Sequence, residues 1–204
     1  MIVVIDYNVG NVKSVCNAFR HIGSEVALSS DSETIEGAAG IVLPGVAAFG
    51  YAIAALGRLS ELVRNLATGG KPLLGICVGY QMLFERSSEH GQHDGLGLIR
   101  GNVISIPPGR TIPHMGWNRV ELPEDMDLFT SLGKEKNFYF AHSFCANVTD
   151  CKAKVAYTDY GFCLAAAIQK ANICGLQFHP EKSGKTGLKV LRNFAEICER
   201  KKPT

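Results

Sequence analysis

Pro72-Leu73-Leu74-Gly75-Ile76-Cys77-Val78-Gly79-Tyr80-Gln81 carries an apolar run of strand length into a cysteine with a glycine two residues to either side. A helix-like stretch, Tyr80 to Glu85, follows at once. Glycines so placed let a strand and a helix pack closely while the central residue sits on a strained turn, its side chain pushed out over the sheet edge. That is the outline of a nucleophile elbow. The helix N-terminus beneath the sulfur adds positive partial charge, which favours thiolate. The same ten residues also read as a buried cysteine, acting as a small hydrophobe, in a glycine-rich turn.

Upstream of this segment, strand and helix patterns alternate. Ile2 to Asp6 is β-branched and apolar, as a buried parallel strand requires, and a polar loop, Tyr7 to Asn11, follows. Val12, Val15, Phe19 and Ile22 then recur at helical spacing up to a stop at Gly23. Glu25 to Leu28 and Ile41 to Leu43 give two more strands, the latter ending at Pro44-Gly45-Val46. Leu56, Leu59, Leu62, Val63 and Leu66 form a helical stripe that stops at Gly69-Gly70. The spacing predicts an α/β fold with a mostly parallel central sheet flanked by helices. Such sheets keep their chemistry at the strand C-terminal ends, so the loops 7–11, 44–50 and Cys77 converge on one crevice.

Downstream, Ser87 to Gly97 reads as a polar surface loop. Short strands then follow at Val103–Ile106, Arg119–Leu122, Phe138–Phe140, Lys154–Tyr157, Leu164–Ile168 and Ile173–Gln177, which predict an antiparallel extension of the sheet. A final amphipathic helix covers Gly187 to Arg200. The lone tryptophan, Trp117, is expected in core or interface packing rather than in chemistry.

Length and composition bound the function. A chain of 204 residues accommodates one full-sized domain, 1–204. Its 21 basic and 19 acidic residues show no run of either sign, so neither nucleic acid nor an anionic membrane is an expected partner. The uncharged stretch from Gly37 to Gly57 is long enough for a bilayer, but its glycines and Pro44 favour strand, loop and helix. Seven scattered cysteines without metal-ligand spacing argue against a disulfide framework or a zinc site, and for a reducing cytoplasm. No targeting peptide is expected from the opening residues. Neither a dinucleotide fingerprint nor a Walker motif is present, and no cofactor or metal is expected.

A thiol needs a base. After the strand Ile173 to Phe178 comes His179-Pro180-Glu181. Proline biases His179 towards an extended backbone, in which residues two apart face the same way, so Glu181 can hold one ring nitrogen while the other faces a nucleophile. Alone, His-Pro-Glu also reads as a surface turn; about 100 residues after the elbow it completes a cysteine, a base and an orienter.

With these residues the chain resembles the class I, triad-type glutamine amidotransferases. Gly75-Ile76-Cys77-Val78-Gly79-Tyr80-Gln81 resembles their nucleophile motif and Gln177-Phe178-His179-Pro180-Glu181 their base motif. Asp6-Tyr7-Asn8-Val9-Gly10-Asn11, Leu43-Pro44-Gly45-Val46, Pro113-His114-Met115-Gly116-Trp117-Asn118, Tyr139-Phe140-Ala141-His142-Ser143-Phe144 and His179-Pro180-Glu181-Lys182-Ser183 occur in the order found in glutaminase subunits that pair with a (β/α)-barrel synthase or cyclase. The resemblance covers essentially the whole chain. It implies that Cys77 attacks the glutamine side-chain amide, that His179 moves protons and that Glu181 orients it. It further implies an oxyanion hole from the backbone of Val46 and Val78, and glutamine contacts from Gly45, Gln81, His142, Ser143 and Phe144. Asn11, Trp117 and Lys182 are implied at the interface of a heterodimer with the barrel. Since Cys77 and His179 use most of the chain, the acceptor of the ammonia is expected on that second chain.

Four positions depart from the family pattern, which usually has glycine at Asn8 and Ala47, leucine at Val78 and methionine at Tyr80. Asn8 is expected to tolerate a left-handed backbone, and Ala47 to restrict the flip that completes the oxyanion hole. Open at this stage are subunits serving sugar-modifying synthases, a catalytically silent gating subunit, and a cysteine peptidase or small-molecule hydrolase sharing the elbow.

Overall fold

The computed structural model describes residues 1–133 and 136–200. The first half runs β1 (Ile2–Ile5), α1 (Val12–His21), β2 (Val26–Ser29), α2 (Ser32–Glu36), β3 (Gly40–Leu43), α3 (Phe49–Leu56), α4 (Leu59–Thr68), β4 (Leu73–Ile76) and α5 (Val78–Gln81). Then come β5 (Phe84–Ser87), β6 (His93–Asp94), β7 (Ile99–Ser105), β8 (His114–Glu121), β9 (Asn137–His142), β10 (Phe144–Val148), β11 (Lys154–Asp159), β12 (Cys163–Lys170), β13 (Ile173–Leu176) and α6 (Gly184–Arg200).

Nine strands form one sheet in the order β2-β1-β3-β4-β13-β12-β11-β8-β9. From β2 to β13 every neighbour is parallel, and from β13 to β9 every neighbour is antiparallel. The parallel strands β1, β3, β4 and β13 are buried throughout, which is why they read as continuous apolar runs. The crossovers from β1 to β2 and from β2 to β3 step in opposite directions along the sheet, so with common handedness α1 and α2 cover opposite faces. α1 packs on α6, with Phe19 edge-on to Phe194 at 6.5 Å. A second sheet, in the order β10-β7-β5-β6, lies beyond the elbow.

Several expectations are corrected. The stripe from Leu56 to Leu66 is two helices: Gly57, at φ 49°, breaks them, and Leu56 closes α3. The 37–57 stretch, by contrast, is as expected: β3, a loop and α3, and no helix among the described residues is long and apolar enough to cross a membrane. The helix after Cys77 lasts four residues rather than reaching Glu85, because Phe84 pairs with Ile99 in the second sheet. Within the stretch 87–97, His93 and Asp94 pair back onto β5, so that stretch is not all loop. α2, which is too short to show a stripe, is capped by Asp31, whose carboxylate accepts from the Thr34 N–H at 2.8 Å.

Candidate active site

Cys77 sits between β4 and α5 at φ 55° and ψ −108°, a left-handed backbone for a residue with a Cβ. Such strain costs on the order of 1–3 kcal/mol and persists only where packing imposes it. Here packing does so: a Cβ on Gly79 would lie 1.8 Å from the Leu43 carbonyl oxygen, so only glycine lets α5 approach the end of β3. The Cys77 N–H is held by the Leu176 carbonyl at 2.7 Å.

His179 ends the neighbouring β13 segment. Its Nδ1 lies 2.9 Å from Glu181 Oε1, and both side chains are almost fully buried. The pairing expected from sequence is present, but its geometry differs: His179 is extended, whereas Pro180–Lys182 is a 3-10 turn that curls Glu181 back under the ring. Burial pushes the His179 imidazolium down, yet hydrogen bonds with Cys77 and Glu181 outweigh it and carry the ring up to about 9. An imidazolium held between a carboxylate and a sulfur can stabilise a thiolate and later release its proton. Glu181 Oε2 is buried without a hydrogen-bond partner among the described residues.

The Cys77 sulfur has two further neighbours, the Ala141 carbonyl at 3.8 Å and Gln177 Nε2 at 4.0 Å. It opens on a cavity of about 360 Å³ lined by Val46, Ala47, Val78, Gln81, Glu89, His142, Ser143, Phe144, His179 and Lys182 among others. That volume is at the small end for small-molecule sites, about 300–1,000 Å³. A larger depression, about 480 Å³ between α1 and α6, is lined by His21, Lys185, Lys189 and Arg192 among others, and by no cysteine.

Gly45 lies against the elbow; a Cβ there would meet Val78 Cβ at 2.9 Å and Gly79 N at 3.0 Å. Its carbonyl accepts from the Val78 N–H at 3.3 Å. The hydroxyl of buried Tyr7 donates to the Pro44 carbonyl just upstream. Among the departures from pattern, Asn8 does adopt a left-handed φ of 61° whereas Ala47 is not among the positive-φ residues. Tyr80 is fully buried in the space Gly175 leaves, where a Cβ would lie 2.3 Å from its ring.

Phe144 fixes the opposite wall. Its carbonyl accepts from Gln81 Nε2 at 2.9 Å and from His142 Nδ1 at 2.8 Å. His142 Nε2 in turn faces His114 Nδ1 at 2.9 Å. Both nitrogens of His142 are thus committed, so any ligand contact from this residue comes from its main chain. Burial holds His114 down to about 4 and His142 to about 3, so both rings are neutral.

Glu89 is a site residue that sequence reasoning missed. It accepts the Phe49 N–H with Oε2 at 2.7 Å, capping α3, whose own N-cap Ala48 has no side-chain acceptor. The same side chain lines the cavity.

Of the three residues expected at an interface, Lys182 also lines the cavity, whereas Trp117 and Asn11 do not. Trp117 is 60% exposed on β8, so it packs in no core; its ring meets Tyr139 at 6.2 Å. Lys182 stands 5.9 Å over the same Tyr139 ring. Asn11, half-buried, starts α1 without a side-chain cap bond. Tyr139 joins this surface to the site, because its carbonyl accepts from the His179 N–H at 2.9 Å and its N–H donates to Ser183 Oγ at 2.9 Å.

Residues 3–198 match the model of the family described as glutamine amidotransferase class-I. The chain is 49% identical over 197 residues to imidazole glycerol phosphate synthase subunit HisH of Methanothermobacter thermautotrophicus, covering 97% of this chain and 98% of the relative. It is 41% identical to the subunit of the same name from Caldanaerobacter subterraneus subsp. tengcongensis, covering 98% and 99%. Among solved structures, PurLQS from Thermotoga maritima superposes with a TM-score of 0.75 at 24% identity, covering 96% of this chain and 97% of that one. A glutamine amidotransferase from the same organism does so at 0.63 and 18% identity, covering 100% and 85%. These likenesses in structure show the fold.

Proposed function

Because the chain belongs to the class-I glutamine amidotransferases, we propose that it is a glutaminase subunit of imidazole glycerol phosphate synthase. In this reading, residues 1–204 form one glutaminase domain that hydrolyses glutamine and delivers ammonia, in the cytoplasm, to a (β/α)-barrel cyclase bound as a heterodimer. What carries the reading is the buried pair of Glu181 and His179 set beside Cys77 on one cavity, in a chain similar to the synthase subunits from end to end.

The proposed chemistry follows from that arrangement. The Cys77 thiolate attacks the side-chain carbonyl carbon of glutamine. The resulting oxyanion is held by the N–H groups of Val46 and Val78 once they face it. His179, protonated and steered by Glu181, gives its proton to the departing nitrogen, the C–N bond breaks, and ammonia leaves a glutamyl thioester. Water, deprotonated by His179, then cleaves the thioester, releasing glutamate and restoring the thiol. Glu89 takes the substrate's α-ammonium, while Gln81 and the main chain of Gly45, His142, Ser143 and Phe144 fix its length and orientation. Asn11, Trp117 and Lys182 meet the barrel. Ammonia is mostly ammonium in neutral water and then no nucleophile, which favours an enclosed path to the partner.

The decisive experiment is Cys77→Ala in the heterodimer. Glutamine-dependent synthesis should vanish while synthesis from added ammonium salt persists. Loss of both would mean that Cys77 is structural.

A further inference from the structure

Gln177 lies at the end of β13, two residues before His179, and is fully buried. No step of the chemistry above uses it. Its amide orientation follows from its neighbours. Gln81 Nε2 is 2.9 Å from the Phe144 carbonyl, which can only accept, so that atom of Gln81 is the NH2 group. The same NH2 lies 3.0 Å from the Gln177 amide, so the Gln177 atom facing it is the oxygen. The Gln177 NH2 is thereby turned towards Cys77 Sγ, 4.0 Å away. A backbone carbonyl thus sets both amides without any choice of rotamer.

The sulfur therefore sits between two opposed partners. The Ala141 carbonyl, at 3.8 Å, can only accept, and so favours the S–H form. The Gln177 NH2 can only donate, and so favours negative sulfur. His179 faces the same sulfur with a proton to give, and Tyr7, the other titratable group close to it, is kept neutral by burial.

We infer that Gln177 is a further catalytic residue: its side-chain N–H binds Cys77 Sγ and holds the sulfur negatively charged for attack. Its oxygen, anchored by Gln81, keeps that N–H aimed, so the residue that lines the substrate cavity and the one that activates the nucleophile form a single chain. This rests on the reading of Cys77 as nucleophile.

The test is Gln177→Met, which conserves volume and removes the donor, made in the heterodimer. Modification of Cys77 by iodoacetamide at neutral pH, followed by mass spectrometry of its peptide, should slow ~10-fold, the size expected for one hydrogen bond to a charged group. The kcat for glutamine should fall by a similar factor with KM within about twofold, as for a group acting on the reacting atom. Melting temperature and ammonia-dependent synthesis report whether the fold is intact; should the Met variant not fold, Gln177→Leu is read in the same way. Unchanged modification of Cys77, or a change confined to KM, overturns the inference. Cys77→Ala run in parallel separates the two ideas: glutamine turnover surviving it refutes the nucleophile itself, whereas its loss beside an unimpaired Gln177 variant refutes only the role given to Gln177.

Discussion

Val78 donates its backbone N–H to the carbonyl of Gly45 at 3.3 Å, so the peptide joining Gly45 to Val46 turns its oxygen towards the elbow. In a planar trans peptide the N–H of Val46 then points the opposite way. One rotation of that peptide would release the Val78 donor and swing in the Val46 donor together. Without the barrel, glutamine hydrolysis should be slow, and the liganded partner should raise it ~100–1,000-fold, the usual worth of an oxyanion donor. Steady-state glutamate release with and without partner decides it; full turnover by the lone chain would refute the switch.

Glu89 provides a sharper test of how substrate is held. Glu89→Gln keeps an acceptor for the Phe49 N–H but removes the charge offered to an ammonium. The KM for glutamine should rise ~10–100-fold, as for loss of one charged hydrogen bond, with kcat little changed. An unaltered KM would place the amino group elsewhere.

The neutral pair His114 and His142 makes the fold acid-sensitive. Unfolded, each ring takes a proton near 6.5, but burial keeps them unprotonated down to about 4 and about 3. Their contribution is present above 6.5 and is lost progressively as the pH falls towards those values, because the unfolded chain binds protons that the folded one refuses. Urea midpoints should drop over that interval, and less steeply in His114→Gln.

His179 has the opposite sign. Its folded value, about 9, lies above 6.5, so its contribution is complete below 6.5 and disappears as the pH rises through about 9. The stability difference between the protein and His179→Asn should shrink across that window. A constant difference would show that the ring is not charged in the fold.

The buried strands β1, β3, β4 and β13 and the elbow were legible because their apolar runs and glycines are local signals. So was the pairing of His179 with Glu181, although a 3-10 turn rather than an extended segment achieves it. Glu89 was not legible: it sits in a polar stretch without periodicity, and its contact with Phe49 spans 40 residues. Gln177 was hidden in the same way, since its orientation depends on Gln81, 96 residues away. The four-residue α5 lost its expected length to a tertiary pairing, Phe84 with Ile99. Such contacts override local propensity and leave no trace in the local pattern.

β9 ends the nine-stranded sheet, and its open side is where Tyr139 meets His179 and Ser183 and where the Ala141 carbonyl faces Cys77. An uncovered terminal strand is a template on which other chains add and aggregate. The segment that carries His179 thus also guards a sticky margin. Damage that unseats it would cost solubility along with turnover, so in a population of ageing molecules the inactive ones should be those that clump.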